Sequence, residues 1–141
     1  MRQLLEIHEP LLAKCALARP DFIEVSAVAV MLHGFYNGIE NLFKRIAVEL
    51  DGGTPQGDEW HRRLLDAMAS PTPTRSAVIS QALRSQLREY LDFRHFFRHA
   101  YAFQFRWEKM TPLVEGCVRT LKDLEAALEE FLQSQGRAGR S

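Results

Sequence analysis

Apolar residues recur at helical spacing from near one end of this 141-residue chain to near the other. That periodicity leaves room for little except packed helices. Leu4, Leu5, Ile7, Leu11, Leu12, Cys15 and Ala18 predict a first helix over about residues 2–18. Arg19-Pro20 ends it, because the residue before proline is pushed out of the helical region. Asp21 and Glu24 then have the spacing of a capping box. They open a long second helix to about Leu50, striped by Val28, Leu32, Phe35, Ile39, Leu42 and Ile46. Gly34 and Gly38, one turn apart inside it, read as a place where another helix comes close.

Two further breaks divide the rest. DGGTPQG (51–57) precedes Asp58, a cap for a short third helix through about Ala69 carried by Trp60, Leu64, Leu65 and Met68. SPTPTR (70–75) holds two prolines that prevent helix continuation. A fourth helix is expected from near Arg75 or Ser76, through Leu83, Leu87 and Leu91, into RHFFRHAY. Thr111-Pro112 reads as a cap followed by a first-turn proline. It begins a last helix to about Gln133, lined by Leu113, Val114, Cys117, Leu121, Leu124, Leu128 and Phe131. The prediction is one all-α domain over 1–134, an antiparallel four- or five-helix bundle, with a disordered tail at 135–141 that has nothing apolar to bury.

Composition excludes several functions. No run approaches 18 uninterrupted apolar residues, so no membrane-spanning helix is expected. The opening MRQLLEIHEP lacks the apolar stretch of a secretory signal. Cys15 and Cys117 are isolated, which points to two reduced thiols in a cytoplasmic protein and no disulfide framework. There is no glycine-rich phosphate loop, no GxSxG and no CxxC. With 18 basic and 18 acidic residues, the formal net charge is zero, so a polyanion must be attracted locally. Arg84 to Arg106 holds five arginines against Glu89 and Asp92, a formal +3, and Thr111 to Gln133 a formal −3.

Within the positive stretch lies Arg94-His95-Phe96-Phe97-Arg98-His99-Ala100-Tyr101. On a helical wheel at about 100° per residue, Arg94, Arg98, His95, His99 and Tyr101 share one arc. Phe93, Phe96, Phe97 and Ala100 occupy the opposite one, as an anchoring aromatic face. Arginine offers a fixed cationic fork that matches phosphate oxygens. Histidine exchanges protons near neutral pH. Together they suffice for metal-independent RNA cleavage, in which an imidazole deprotonates a ribose 2′-hydroxyl and a guanidinium stabilises charge on the attacked phosphate. The products carry a 2′,3′-cyclic phosphate.

Arg94 and His99 enclose four residues and are followed by Ala100-Tyr101, giving Arg-x4-His-x-Tyr. This resembles the signature of the HEPN superfamily, specifically the HepT branch of two-gene toxin–antitoxin systems. Tyr36-Asn37-Gly38-Ile39-Glu40-Asn41 is similar to the Tyr-x-x-x-Glu-Asn segment of that family's long early helix. The likeness spans about 22–130 and includes the order of helices. It implies that Arg94 and His99 are the catalytic pair of an endoribonuclease without cofactor, acting on messenger or transfer RNA. It also implies a homodimer with a shared cleft. Tyr101 would be the residue to which a cognate minimal nucleotidyltransferase (MNT) antitoxin transfers AMP from ATP. His95 and Arg98 are assigned phosphate contact only.

Other readings were open to the sequence. A non-catalytic module of the same type would bind nucleotide, RNA or a partner without turnover. Asp92, His95 and His99, spaced i, i+3, i+7, could present metal ligands, although Arg94 and Arg98 would repel a cation. His8, His33 and His61 are dispersed and read as surface or helix-capping residues. Tyr36 and Glu40 read equally as a packing pair or as support for a cleft. Phe103, Phe105 and Trp107 read as packing at the bundle or at a dimer interface.

Overall fold

In a computed structural model, which describes residues 1–101 and 104–138, five helices follow one another. They are α1 (Arg2–Leu17), α2 (Phe22–Leu50), α3 (Trp60–Met68), α4 (Gln81–His99) and α5 (Trp107–Ala138). The described residues contain no β-strand, and the all-α bundle expected from the periodicity is what forms.

The centre is α2, which touches each of the other four helices. Its start is local chemistry. Asp21 accepts from the Glu24 amide at 2.8 Å, and Glu24 accepts from the Asp21 amide at 3.0 Å. Its stripe is fully buried at Val28, Leu32, Phe35 and Ile39, with Phe43 and Ala47 continuing it. Each large apolar side chain so buried contributes about 1.5–3 kcal/mol. Among the described residues α2 alone is long and apolar enough to cross a bilayer. Its contacts with four helices and its buried Glu40 mark it instead as the core of the bundle.

The glycine pair does what the spacing suggested. A methyl on Gly34 would stand 3.3 Å from Leu4 Cδ2, and one on Gly38 would stand 3.0 Å from Met1 Cγ. Because Leu4 meets Gly34 and Met1 meets Gly38, α1 runs antiparallel to α2. The α4–α5 pair is antiparallel too. The Tyr90 hydroxyl donates to the Leu113 carbonyl at 2.7 Å, while Leu83 and Ala127 line one pocket farther along. Cys15 and Cys117 are free and buried.

Five element boundaries differ from those read off the sequence. Asp58 does not cap α3; Glu59 occupies that position without a side-chain bond. Helix α4 begins at Gln81 rather than near Arg75, with the Ser80 hydroxyl accepting from the Leu83 amide at 3.0 Å. The cause is Arg75, whose side chain is fully buried. Its guanidinium holds Asp51 at 2.8 Å through both Nε and Nη2, and donates to the carbonyls of Ala67, Ser70 and Ser76. The Val78 and Ile79 amides are taken by the Met68 carbonyl, so no helical ladder can start before Ser80.

At the other end, α4 stops at His99, because the Tyr101 amide donates to Gln104 Oε1 at 2.7 Å and Ala100 is extended. Helix α5 starts at Trp107, so Pro112 lies within its second turn. The Thr111 hydroxyl bonds back to the Trp107 carbonyl at 2.8 Å instead of capping. Helix α5 also continues through Ala138, beyond the expected boundary at 134. Phe103 and the tail residues 139–141 lie outside the described residues.

Candidate functional site

Arg94 is the residue on which the site is built. It falls on the buried stripe of α4 with Leu83, Leu87, Tyr90 and Leu91, and it is only 3% exposed. A buried cation needs an excellent partner. The partner is Glu40 of α2, itself 2% exposed. Arg94 Nη1 donates to Glu40 Oε1 at 2.7 Å and Nη2 to Oε2 at 3.1 Å, a two-pronged pair. Tyr36, one turn before Glu40, places its ring 5.3 Å from the Arg94 guanidinium carbon. Burial, reinforced by the Glu40 carboxylate, holds the Tyr36 hydroxyl well above the ordinary phenol range. The Tyr36–Glu40 segment is therefore support for the site and not only packing.

A third member comes from α3. His61 Nδ1 lies 2.8 Å from Glu40 Oε2 and 2.6 Å from Arg94 Nη2. The sequence reading of His61 as a dispersed surface or capping residue is corrected here. A signal for it exists, since His61, Leu64, Leu65 and Met68 are spaced i, i+3, i+4, i+7 and the last three are core residues. An imidazole on that stripe is directed inward.

Arg94 and His61 open onto a cleft of about 440 Å³, within the range of small-molecule sites. Its wall includes His61, Arg94, His95, Arg98 and His99. Arg94 and His99 thus share one space, and so do the two residues assigned phosphate contact. His95 and His99 stand one turn apart with ring centroids 4.6 Å from each other. Asp92 also lines the cleft, but its carboxylate accepts from Arg88 Nε at 3.0 Å, which works against Asp92 as a metal ligand. Among the described residues no group of three His, Cys, Asp or Glu is placed to hold a metal ion.

The helical wheel needs two corrections. It set Arg94 on the arc opposite an anchored aromatic face, yet Arg94 is buried and Phe96 is 43% exposed. Phe93, Phe96 and Phe97 instead gather around Phe105, the stacked Phe97–Phe105 pair lying 5.5 Å apart. It also kept Tyr101 in register with Arg94, but Tyr101 lies beyond the helix end and is 72% exposed. Trp107 is partly buried against the core. His33 is half-buried and stacks on Phe97 at 4.6 Å. Burial pushes its pKa down, and Arg94 and Arg98 push it further.

A larger groove of about 780 Å³ lies beside Phe93, Phe96, Arg106 and Lys109. It holds no histidine, so the smaller cleft is the chemical candidate.

Comparison with known families finds that the model for HepT-like proteins matches residues 27–135. No curated protein and no solved structure matches the chain.

Proposed function

The chain belongs to the HepT-like protein family, and from that membership and the cleft we propose that it is a metal-independent endoribonuclease, the cytoplasmic toxin of a toxin–antitoxin pair. The observation that carries this is the placement of Arg94 and His99 on one cleft wall, with His95 and Arg98 beside them. His99 takes the proton of a ribose 2′-hydroxyl, and the 2′-oxygen attacks the adjacent phosphorus. Arg94, held at a fixed position by Glu40, stabilises charge growing on the phosphate oxygens. Arg98 and His95 hold the strand. The chain acts as a homodimer, bringing two such sets of residues to one messenger or transfer RNA.

Tyr101 is the point of control. Its exposure suits it to a modifying enzyme. A cognate MNT-type nucleotidyltransferase places the α-phosphorus of ATP on the tyrosine oxygen, and pyrophosphate leaves. The added phosphodiester brings negative charge and bulk to the end of the helix that carries the RNA-binding arginines.

The test compares growth arrest and RNA cleavage by the native chain with His99→Ala and Arg94→Ala. Arg94→Ala strands the Glu40 carboxylate, so Arg94→Lys and melting curves accompany it. Cleavage that persists in EDTA, leaves cyclic phosphate ends and is lost in both variants supports the reading. Undiminished toxicity of both removes it. Intact mass after incubation with the partner and ATP tests Tyr101, because an equal gain on Tyr101→Phe excludes that site.

One observation favours a second reading, a non-catalytic RNA- or nucleotide-binding module. The Arg94 charge is already paired with Glu40, which weakens its pull on phosphate. RNA binding by the native chain without cleavage would select that alternative.

A further inference from the structure

Cleavage through a 2′-oxygen requires two proton transfers. One proton leaves the attacking hydroxyl, and one must reach the departing 5′-oxygen. Within one subunit the pair Arg94 and His99 supplies only one imidazole for the two tasks. His95 lies one turn from His99 on the same exposed helix face, and neither ring has a carboxylate partner among the described contacts.

His61 is built differently. It enters the cleft from α3, opposite α4, and among the described residues only its Nδ1 has hydrogen-bonding partners. Trp60 lies against one ring face, with centroids 3.6 Å apart. Nδ1 stands within bonding distance of both an acceptor, Glu40 Oε2, and a donor, Arg94 Nη2. One nitrogen cannot satisfy both at once. When Nδ1 accepts from Arg94, the ring proton is on Nε2. When Nδ1 donates to Glu40, Nε2 is either a bare lone pair or, in the imidazolium, a second N–H. Both donor states place their N–H on Nε2, for which no hydrogen bond within the protein is described. A carboxylate that orients one ring nitrogen while the other exchanges protons is the arrangement of catalytic histidines elsewhere.

We propose that His61 is a catalytic residue of this cleft, its Nε2 giving a proton to the departing 5′-oxygen while His99 takes one from the 2′-hydroxyl. This rests on the nuclease reading above. The 2′-oxygen–phosphorus bond forms as the phosphorus–5′-oxygen bond breaks. The proton lost by His61 is balanced by the proton gained by His99, and water resets the two rings. Glu40 then has two tasks, fixing the Arg94 fork and orienting the imidazolium. When Nε2 gives up its proton, Nδ1 keeps its own and goes on donating to Glu40, so the ring holds its orientation through the transfer.

The experiment uses the full chain and two chimeric RNA substrates, one with an ordinary 5′-oxygen at the cleavage position and one with a bridging 5′-sulfur. A thiolate leaves without protonation, so the sulfur substrate needs no general acid. His61→Asn keeps an amide N–H toward Glu40 but cannot transfer a proton. Its cleavage of the oxygen substrate is expected to fall by about 100-fold or more, with KM little changed, and its cleavage of the sulfur substrate to stay near that of the native chain. His99→Ala should be slow on both. His61→Gln and melting curves guard against a folding defect, since loss of structure slows both substrates alike. Equal slowing of both substrates by a folded His61→Asn overturns the assignment, and so does full activity of that variant on the oxygen substrate. In either case the nuclease reading stands. A native chain that cleaves neither substrate overturns both.

Discussion

At the scale of single residues, Glu40 and Arg94 decide most about the site. Neither has an obvious place in a bundle core, since desolvating two charges costs several kcal/mol each before their attraction offsets it. Their persistence in the interior therefore depends on the two-pronged geometry. Glu40→Leu leaves the guanidinium buried without a counter-charge and should lower unfolding free energy by about 3–5 kcal/mol. Adding Arg94→Met should recover most of that loss while leaving the cleft inactive. Urea unfolding of the two single variants and the double one checks this, and additive losses would contradict the coupling. Cys117 makes a simpler case. Burial pushes its thiol up to about 12, so the reactive thiolate is scarce at pH 8. A disulfide reagent should modify it only after denaturant is added.

The elements show why part of this architecture is legible in sequence and part is not. The Asp21–Glu24 capping box involves residues three positions apart, so its chemistry is written in one short segment. The same holds for the apolar stripes and for the glycine contact with α1. Arg75 shows the opposite. Its partners lie on the end of α2, the end of α3 and the following loop, and no local spacing announces them. Proline in the preceding loop was visible, but the residue that organises that loop was read as the start of a helix. The cleft divides in the same way. The Arg-x4-His-x-Tyr pattern is local and visible, whereas Glu40, His61 and Arg94 meet across separations of 21, 33 and 54 residues. What does remain in the sequence is a polar residue on each apolar stripe, a position that calls for a buried partner. For Arg75 the expected outcome is strict. Arg75→Lys keeps the charge but cannot reach a carboxylate and three carbonyls together. It should cost about 2–3 kcal/mol and open the 70–76 loop to protease. Native-like melting and native-like resistance would show that the fork is dispensable.

Across the whole molecule, counting charges misleads about how strongly the chain can hold RNA. The stretch from Arg84 to Arg106 carries five arginines, but three of them are committed within the protein. Arg84 pairs with Asp66, Arg88 with Asp92 and Arg94 with Glu40. Arg98 and Arg106 have no such ion pair described, and of these only Arg98 lines the cleft. Each phosphate neutralised on a single strand contributes about −0.7 to the slope of log affinity against log salt. Two available arginines per subunit predict a slope of about −1.4, and five free ones would give about −3.5. A salt titration at pH 8, with a 2′-O-methyl RNA that cannot be cleaved, measures this directly once scaled to the number of subunits. Arg98→Gln should make the slope shallower by about 0.7, whereas Arg84→Gln should leave it unchanged. A slope near the higher value would mean that RNA displaces the acidic partners. The Arg94–Glu40 pair would then open on binding and free the guanidinium for phosphate, and Arg84→Gln would flatten the slope as well.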